Sequence, residues 1–283
     1  MEHVWPVIQT GLTDPDAGVR KATCIALSCL CEWMEDECAS KHKELIPVSI
    51  VHVFFKIQPD HLQVLMHLLD DPVTQRTTCT ALDALLEIMG DSILQYLPLV
   101  MERFVGLLDT VPIPVKSVII GAIGSTAHAS GEKFLPYFQP TVDRLKPNLF
   151  LTGEGEEIEL RGITMDALGT FAEAVGKDVF RPLFSDLMKQ AFTGIATGNS
   201  RLKECSFLFF GVMARVFEQE FSPYLSDVVP ALMESLKQDE KVQEETVGRS
   251  PISGSTGKNA DYIQRQCRGG FCLWEYPRDC NQG

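Results

Sequence analysis

Among the side chains able to do chemistry, the carboxylates are the most prominent, and they bunch. Gly153-Glu154-Gly155-Glu156-Glu157-Ile158-Glu159 sets Glu154, Glu156, Glu157 and Glu159 just ahead of a run with helical periodicity. Two readings fit that cluster equally. Acids in a first turn complement the positive end of a helix dipole, and an acidic loop also suits a basic protein partner. The other reactive groups do not assemble. His3, His42, His52, His61, His67 and His128 form no HExxH pair and no zinc-type spacing with cysteine. Cys29 and Cys31, two apart on a helix, point about 200° from each other. Cys267, Cys272 and Cys280 have no paired spacing. Gly254-Ser255-Thr256-Gly257-Lys258-Asn259 approaches a phosphate loop, but Ile252 replaces its first glycine and Asn259 its Ser/Thr, and no strand leads into it. No catalytic residue, metal or cofactor is expected, and the chain does not read as an enzyme.

Composition narrows the partners. Asp and Glu number 38 against 25 Lys and Arg, a net charge of −13. Phosphate backbones are bound by Lys/Arg patches, so nucleic acid is not an expected partner; a basic protein is. Most of the nine cysteines lie before residue 210 on apolar helical faces, where buried reduced thiols are usual. With no signal-peptide pattern at the N-terminus, a reducing cytoplasmic or nuclear setting is expected. No run approaches the roughly 18 apolar residues of a membrane span.

The elements that must position these groups repeat. Leu12–Ala26 reads as a helix end, an Asp14-Pro15-Asp16 turn and a second helix, in which Val19, Ala22, Ile25, Ala26, Cys29 and Leu30 form the expected buried face. The unit returns at Asp70-Asp71-Pro72, followed by Cys79, Leu82, Leu85 and Leu86. Arg20, Arg76, Lys116, Arg161 and Lys203 mark the start of successive second helices at steps of 56, 40, 45 and 42 residues. Three of the four steps fall near the ~40–47 residue period of HEAT and armadillo-type repeats. These cations read as stacking groups that bond turns and carbonyls, and Asp14 and Asp71 as residues that bond their own turns. His128 falls near the end of a second helix. The expected fold is all-α, a right-handed solenoid of five to six helical hairpins over residues 1–240.

Two segments depart from the pattern. Val48–Gln63 is rich in β-branched and aromatic residues, and removing it restores a step of 40 residues. Valine codons begin GT and one glutamine codon is CAG, so the segment reads as retained intron sequence; an ordinary surface insertion is the other reading. Residues 241–283 read as a polar linker, Gly248–Lys258, followed by an aberrant tail with no helical period.

Several runs go beyond periodicity. Gly11-Leu12-Thr13-Asp14-Pro15-Asp16 with Val19-Arg20, Glu159-Leu160-Arg161-Gly162, Phe171-Ala172-Glu173-Ala174-Val175-Gly176 and Ser206-Phe207-Leu208-Phe209-Phe210-Gly211 together resemble the importin-β (karyopherin-β) family of nuclear transport receptors. The resemblance covers about Val4–Gln238 apart from Val48–Gln63. It implies a middle portion of a longer receptor that shuttles between cytoplasm and nucleus, carrying basic cargo of histone or ribosomal-protein type. In the family, second helices line the inner surface, which places Glu32, Glu35, Asp83, Glu87 and Glu173 beside the cargo. Nucleoporin Phe-Gly repeats are a further implied partner. Ran is held mainly by N-terminal repeats that this sequence lacks. A general HEAT scaffold without a transport role and a functionless splice product are the competing readings. The repeat register generates a test: deleting Val48–Gln63 is expected to leave the melting temperature unchanged or raise it, as thermal unfolding by circular dichroism would measure.

Overall fold

The computed structural model describes residues 3–40 and 64–235. Val48–Gln63 and the 241–283 tail lie outside the described residues. The chain divides into two compact units, Met1–Leu232 and Met233–Gly283, and the helical array lies in the first. The described residues of that unit are helical and contain no strand.

Helices alternate in two sets. The first set is α1 (Trp5–Leu12), α4 (Val64–Leu68), α6 (Leu97–Leu107), α8 (Leu135–Leu145), α10 (Lys177–Ala196) and α12 (225–235). The second set is α2 (Ala17–Trp33), α5 (Gln75–Ile88), α7 (Ile113–Ser130), α9 (Glu156–Val175) and α11 (Ser200–Phe217), with a short α3 (Glu35–Ala39) after α2. Each second helix packs on the next, α2 on α5, α5 on α7, α7 on α9 and α9 on α11. The second helices therefore form one continuous layer of an all-α solenoid.

Local chemistry sets the turns. Asp14 accepts from the Asp16 backbone N–H at 2.8 Å, and Asp16 caps α2 by accepting from Gly18 and Val19. Arg20 then donates to the carbonyls of Asp14 and Pro15 and, at 2.8 Å, to the Asp71 carboxylate of the next hairpin. The Arg20 guanidinium holds the Asp71 carboxyl below its usual range. Arg161, buried, likewise donates to the Leu151 carbonyl ahead of its helix. Arg76 is exposed instead. At the last junction, the stacking cation is Arg201, which reaches Glu159 and Asp166 of α9.

Aromatic rings pack the first and second helices of a hairpin together. Phe134 meets Phe171 at 4.9 Å between centroids, Phe180 meets Phe217 at 6.5 Å, and Phe184 stacks on Phe217 at 3.9 Å. Polar residues inside the layer satisfy themselves locally: Thr126, Ser130 and Thr164 donate to the carbonyl one turn back.

The buried face of α2 differs from the sequence expectation. Cys24, Leu27, Ser28 and Cys31 are buried, whereas Val19 and Ile25 are 41% and 52% exposed and Ala22, Ala26 and Cys29 lie in solvent. The reason is register. On α7 and α9 the corresponding stripes, Val118-Ala122-Ser125 and Ile163-Ala167-Thr170, turn toward the preceding second helix. Ser125 bonds Asp83 of α5, and Ala167 lies against Gly124 of α7. On α2 no described helix packs against that stripe. The apolar pattern was real, but it marks the face toward a preceding unit.

The second helices α7, α9 and α11 also end alike. Gly131 after α7 has φ 51° and Gly176 after α9 has φ 78°. At the same place after α11 stands Glu218, with φ 50° and ψ −116°, a region that side chains other than glycine rarely enter. Glu218→Gly is therefore expected to stabilise the protein by about 1 kcal/mol, read as a higher urea midpoint with an unchanged slope.

Candidate functional site

The second-helix layer brings one residue from each repeat to the same edge. Glu32, Glu87, His128, Glu173 and Arg215 all sit in the last turn of their helices. Helix C-termini carry partial negative charge, so an acid there is disfavoured by about 0.3–1 kcal/mol. Glu32 and Glu87 keep their acids at that end, and Glu35 follows at the start of α3. All three are exposed. They also feel one another: loss of hydration where the Glu87 carboxyl lies against its neighbours, then Glu35 and Glu32, push it above its ordinary range, while His128 pulls it back. The result is a concentrated negative edge at α2, α3 and α5. Trp33, 78% exposed, stands beside it; nothing in the sequence pattern singles it out.

Other expected carboxylates are engaged. Glu173 holds Arg215 at 2.8 Å, so it is an ion-paired residue and no free groove acid. Asp83 lies one turn back from Glu87, half-buried, and accepts from Ser125 at 2.7 Å. Burial pushes its carboxyl up to about 7, despite the Ser125 bond. Asp166 is the counterpart between α9 and α11, raised to about 6 by burial even with Arg201 at 3.6 Å.

The Gly153–Glu159 cluster splits. Glu157 reaches back to accept from the Gly153 backbone N–H at 3.0 Å, and Glu159 pairs with Arg201 at 3.3 Å. Glu154 on the turn and Glu156 at the first position of α9 remain exposed. Two of the acids cap and stack, and two face solvent.

Arg201 is the residue that sequence reasoning missed. Lys203 had carried the repeat marker, but Arg201 gathers Glu159, Asp166 and Glu204. Its spacing of three from Glu204 on one helix was the only available signal. Among the described residues no three His, Cys, Asp or Glu side chains group to hold a metal ion, and no helix is long and apolar enough to cross a membrane.

The HEAT repeat family model matches residues 4–34, which are α1 and α2 with their turn. The probable importin subunit beta-4 of Schizosaccharomyces pombe is 40% identical over 267 residues, covering 93% of this chain and 24% of that protein. The chain belongs to the importin-β family. Mouse importin-4 is 27% identical over 129 residues, 45% of this chain and 12% of that protein. A crystal structure of Kap121p superposes with a TM-score of 0.69 at 18% identity, over 93% of this chain and 23% of that one. Kap121p has also been crystallised with Pho4p, with Nup53p and with RanGTP. The chain spans about a quarter of the length of its fission-yeast relative.

The raised Asp83 and Asp166 carboxyls give the array a pH dependence of definite sign. A folded-state value of about 7, against 3.8 for the free group, means that the native state holds a proton the unfolded chain has lost. Stability therefore falls as pH rises from about 4 to about 7. Asp83→Asn is expected to flatten that slope and to stabilise the protein above pH 7. Urea midpoints of both proteins on either side of neutrality would measure it. Parallel curves for parent and variant would show that Asp83 titrates normally.

Proposed function

We propose that this chain is a cargo-holding portion of a nuclear transport receptor, which binds basic proteins of histone or ribosomal-protein type and shuttles between cytoplasm and nucleus. The observation carrying this reading is the negative edge of Glu32, Glu35 and Glu87, of which Glu32 and Glu87 are maintained at helix C-termini where isolated acids are disfavoured. Family membership and the net charge of −13 support it. The exposed pair Glu154 and Glu156 offers a second, weaker contact further along the layer. The crystallised complexes of Kap121p with Pho4p, Nup53p and RanGTP make a protein cargo, a nucleoporin and Ran the kinds of partner proposed for the whole receptor.

Binding here works by addition. An exposed charge pair contributes about 0–1 kcal/mol, so affinity requires several carboxylates along one extended surface. Counter-charges beyond about 8 Å are screened at physiological ionic strength, which favours a cargo segment lying directly on the layer. Fluorescence anisotropy with a lysine-rich histone-tail peptide provides the test. Replacing Glu32, Glu35 and Glu87 by Gln is expected to weaken binding at low salt by roughly 2 kcal/mol, or about thirtyfold. The loss should shrink at high salt. Glu154→Gln with Glu156→Gln should cost less. A general HEAT scaffold would bind a neutral peptide of the same length equally well, and that result would refute the transport reading.

A further inference from the structure

We propose that Cys31 and Cys38 are a reversible disulfide site, which a low-molecular-weight disulfide such as glutathione disulfide closes and which then fastens α3 to the end of α2. The two thiols are partners. Cys31 lies in the last turn of α2 and Cys38 on the short helix that follows, and both side chains are fully buried. The Cys31 thiol donates a hydrogen bond to Cys38, and the bond acts unequally on the pair. Burial first, then the Cys38 sulfur, pushes the Cys31 thiol up. Burial raises Cys38 as well, but the bond from Cys31 pulls it back down. A sulfur that accepts a hydrogen bond is the one whose thiolate is favoured. Cys38 is therefore the attacking thiol and Cys31 the resolving one.

The other described thiols are placed differently. Cys29 is exposed, and Cys31 points about 200° away from it on the same helix. Cys205 donates to the Asp166 carboxylate. Cys24 and Cys79 come near one another across α2 and α5, but those helices have 17 and 14 residues, and Cys24 meets the Thr78 hydroxyl at 3.7 Å. Reaching that pair requires the junction to part. By contrast, α3 has five residues, starts from Met34 without a side-chain cap, and rests on α5. A helix so short has no stability of its own, so local opening of α3 exposes Cys38 while the layer stays closed. In the open form the Cys38 thiolate attacks one sulfur of glutathione disulfide and expels a glutathione thiolate, which takes up the proton that Cys38 lost. When α3 closes, Cys31 gives up its proton and attacks the Cys38 sulfur, and the second glutathione leaves as a thiol. Two protein thiols lose two electrons, and one glutathione disulfide becomes two thiols. Excess reduced glutathione runs the exchange backward. Glu32 adjoins Cys31 and Glu35 starts α3, so the bond also fixes these two carboxylates relative to each other.

Peptide mapping of residues 1–283 after equilibration with glutathione disulfide supplies the test. Remaining thiols are alkylated, and the protein is cut with trypsin and a glutamyl endopeptidase. Cleavage after Lys21, Glu32, Glu37 and Lys41 puts Cys31 and Cys38 on separate peptides. Mass spectrometry is expected to find Ala22–Glu32 joined to Cys38–Lys41, with fragment ions placing the bond on Cys31, and dithiothreitol should release it. Amide exchange across Glu35–Ala39 should slow by at least about tenfold in the oxidised protein. Cys29→Ser, at an exposed position, should leave both results unchanged. Cys31→Ala should stop at the mixed disulfide between Cys38 and glutathione, and Cys38→Ala should leave Cys31 unmodified. If either buried variant misfolds, the map and the exchange rates of the parent decide. The proposal is overturned if the parent, with its helical circular dichroism intact, yields no joined pair. It is equally overturned if the bond runs through Cys24 or Cys29, or if α3 exchanges as fast after oxidation as before.

Discussion

The structure depends on how closely neighbouring second helices can approach. A single helical hairpin has two apolar flanks and can cover neither with its own residues, so each is stable only against the next. Glycine and alanine make that contact possible. A Cβ on Gly162 would stand 3.0 Å from the Cys205 sulfur, and one on Gly169 would touch Phe209 and Val212. Larger side chains at these positions would wedge the layer open, whereas between first and second helices Phe134, Phe171, Phe180 and Phe217 pack ring against ring.

Tight packing also sorts the carboxylates. Those caught between helices, Asp83 and Asp166, lose hydration faster than their partners restore it, and their carboxyls rise to about 7 and about 6. Others are neutralised across a junction, as Glu159 is by Arg201 and Glu173 by Arg215. Glu32, Glu35 and Glu87 lie at exposed helix ends and are the carboxylates of the proposed cargo surface. The proposed binding of basic segments depends on this division, since a carboxylate already paired or protonated offers little to a lysine.

Much of the architecture was legible in the residues. The Asp-Pro turns, the Arg/Lys markers and the glycines after second helices recur with the repeat, and helices break where those residues predict. Each of those signals acts over a few positions: an aspartate bonding the next backbone N–H, as Asp14 and Asp16 do, or a glycine entering positive φ, as Gly131 and Gly176 do. Glu218 breaks the pattern, and nothing in its neighbours along the chain announces that it must adopt a glycine conformation.

The amino-acid sequence by itself determined the all-α repeat, its period, its family and the acidic balance, because periodicity and turn chemistry are local properties. Only the tertiary structure decided which face of α2 is covered and which carboxylates are free. The stripe Val19-Ala22-Ala26-Cys29 has the pattern of a buried face, yet burial requires a helix on the far side, and a sequence window cannot say whether one is there. Glu173 and Glu32 likewise occupy equivalent last-turn positions. One meets Arg215 from the following repeat and the other lies open at the edge, a difference set by residues 42 positions away in the chain and adjacent only after stacking.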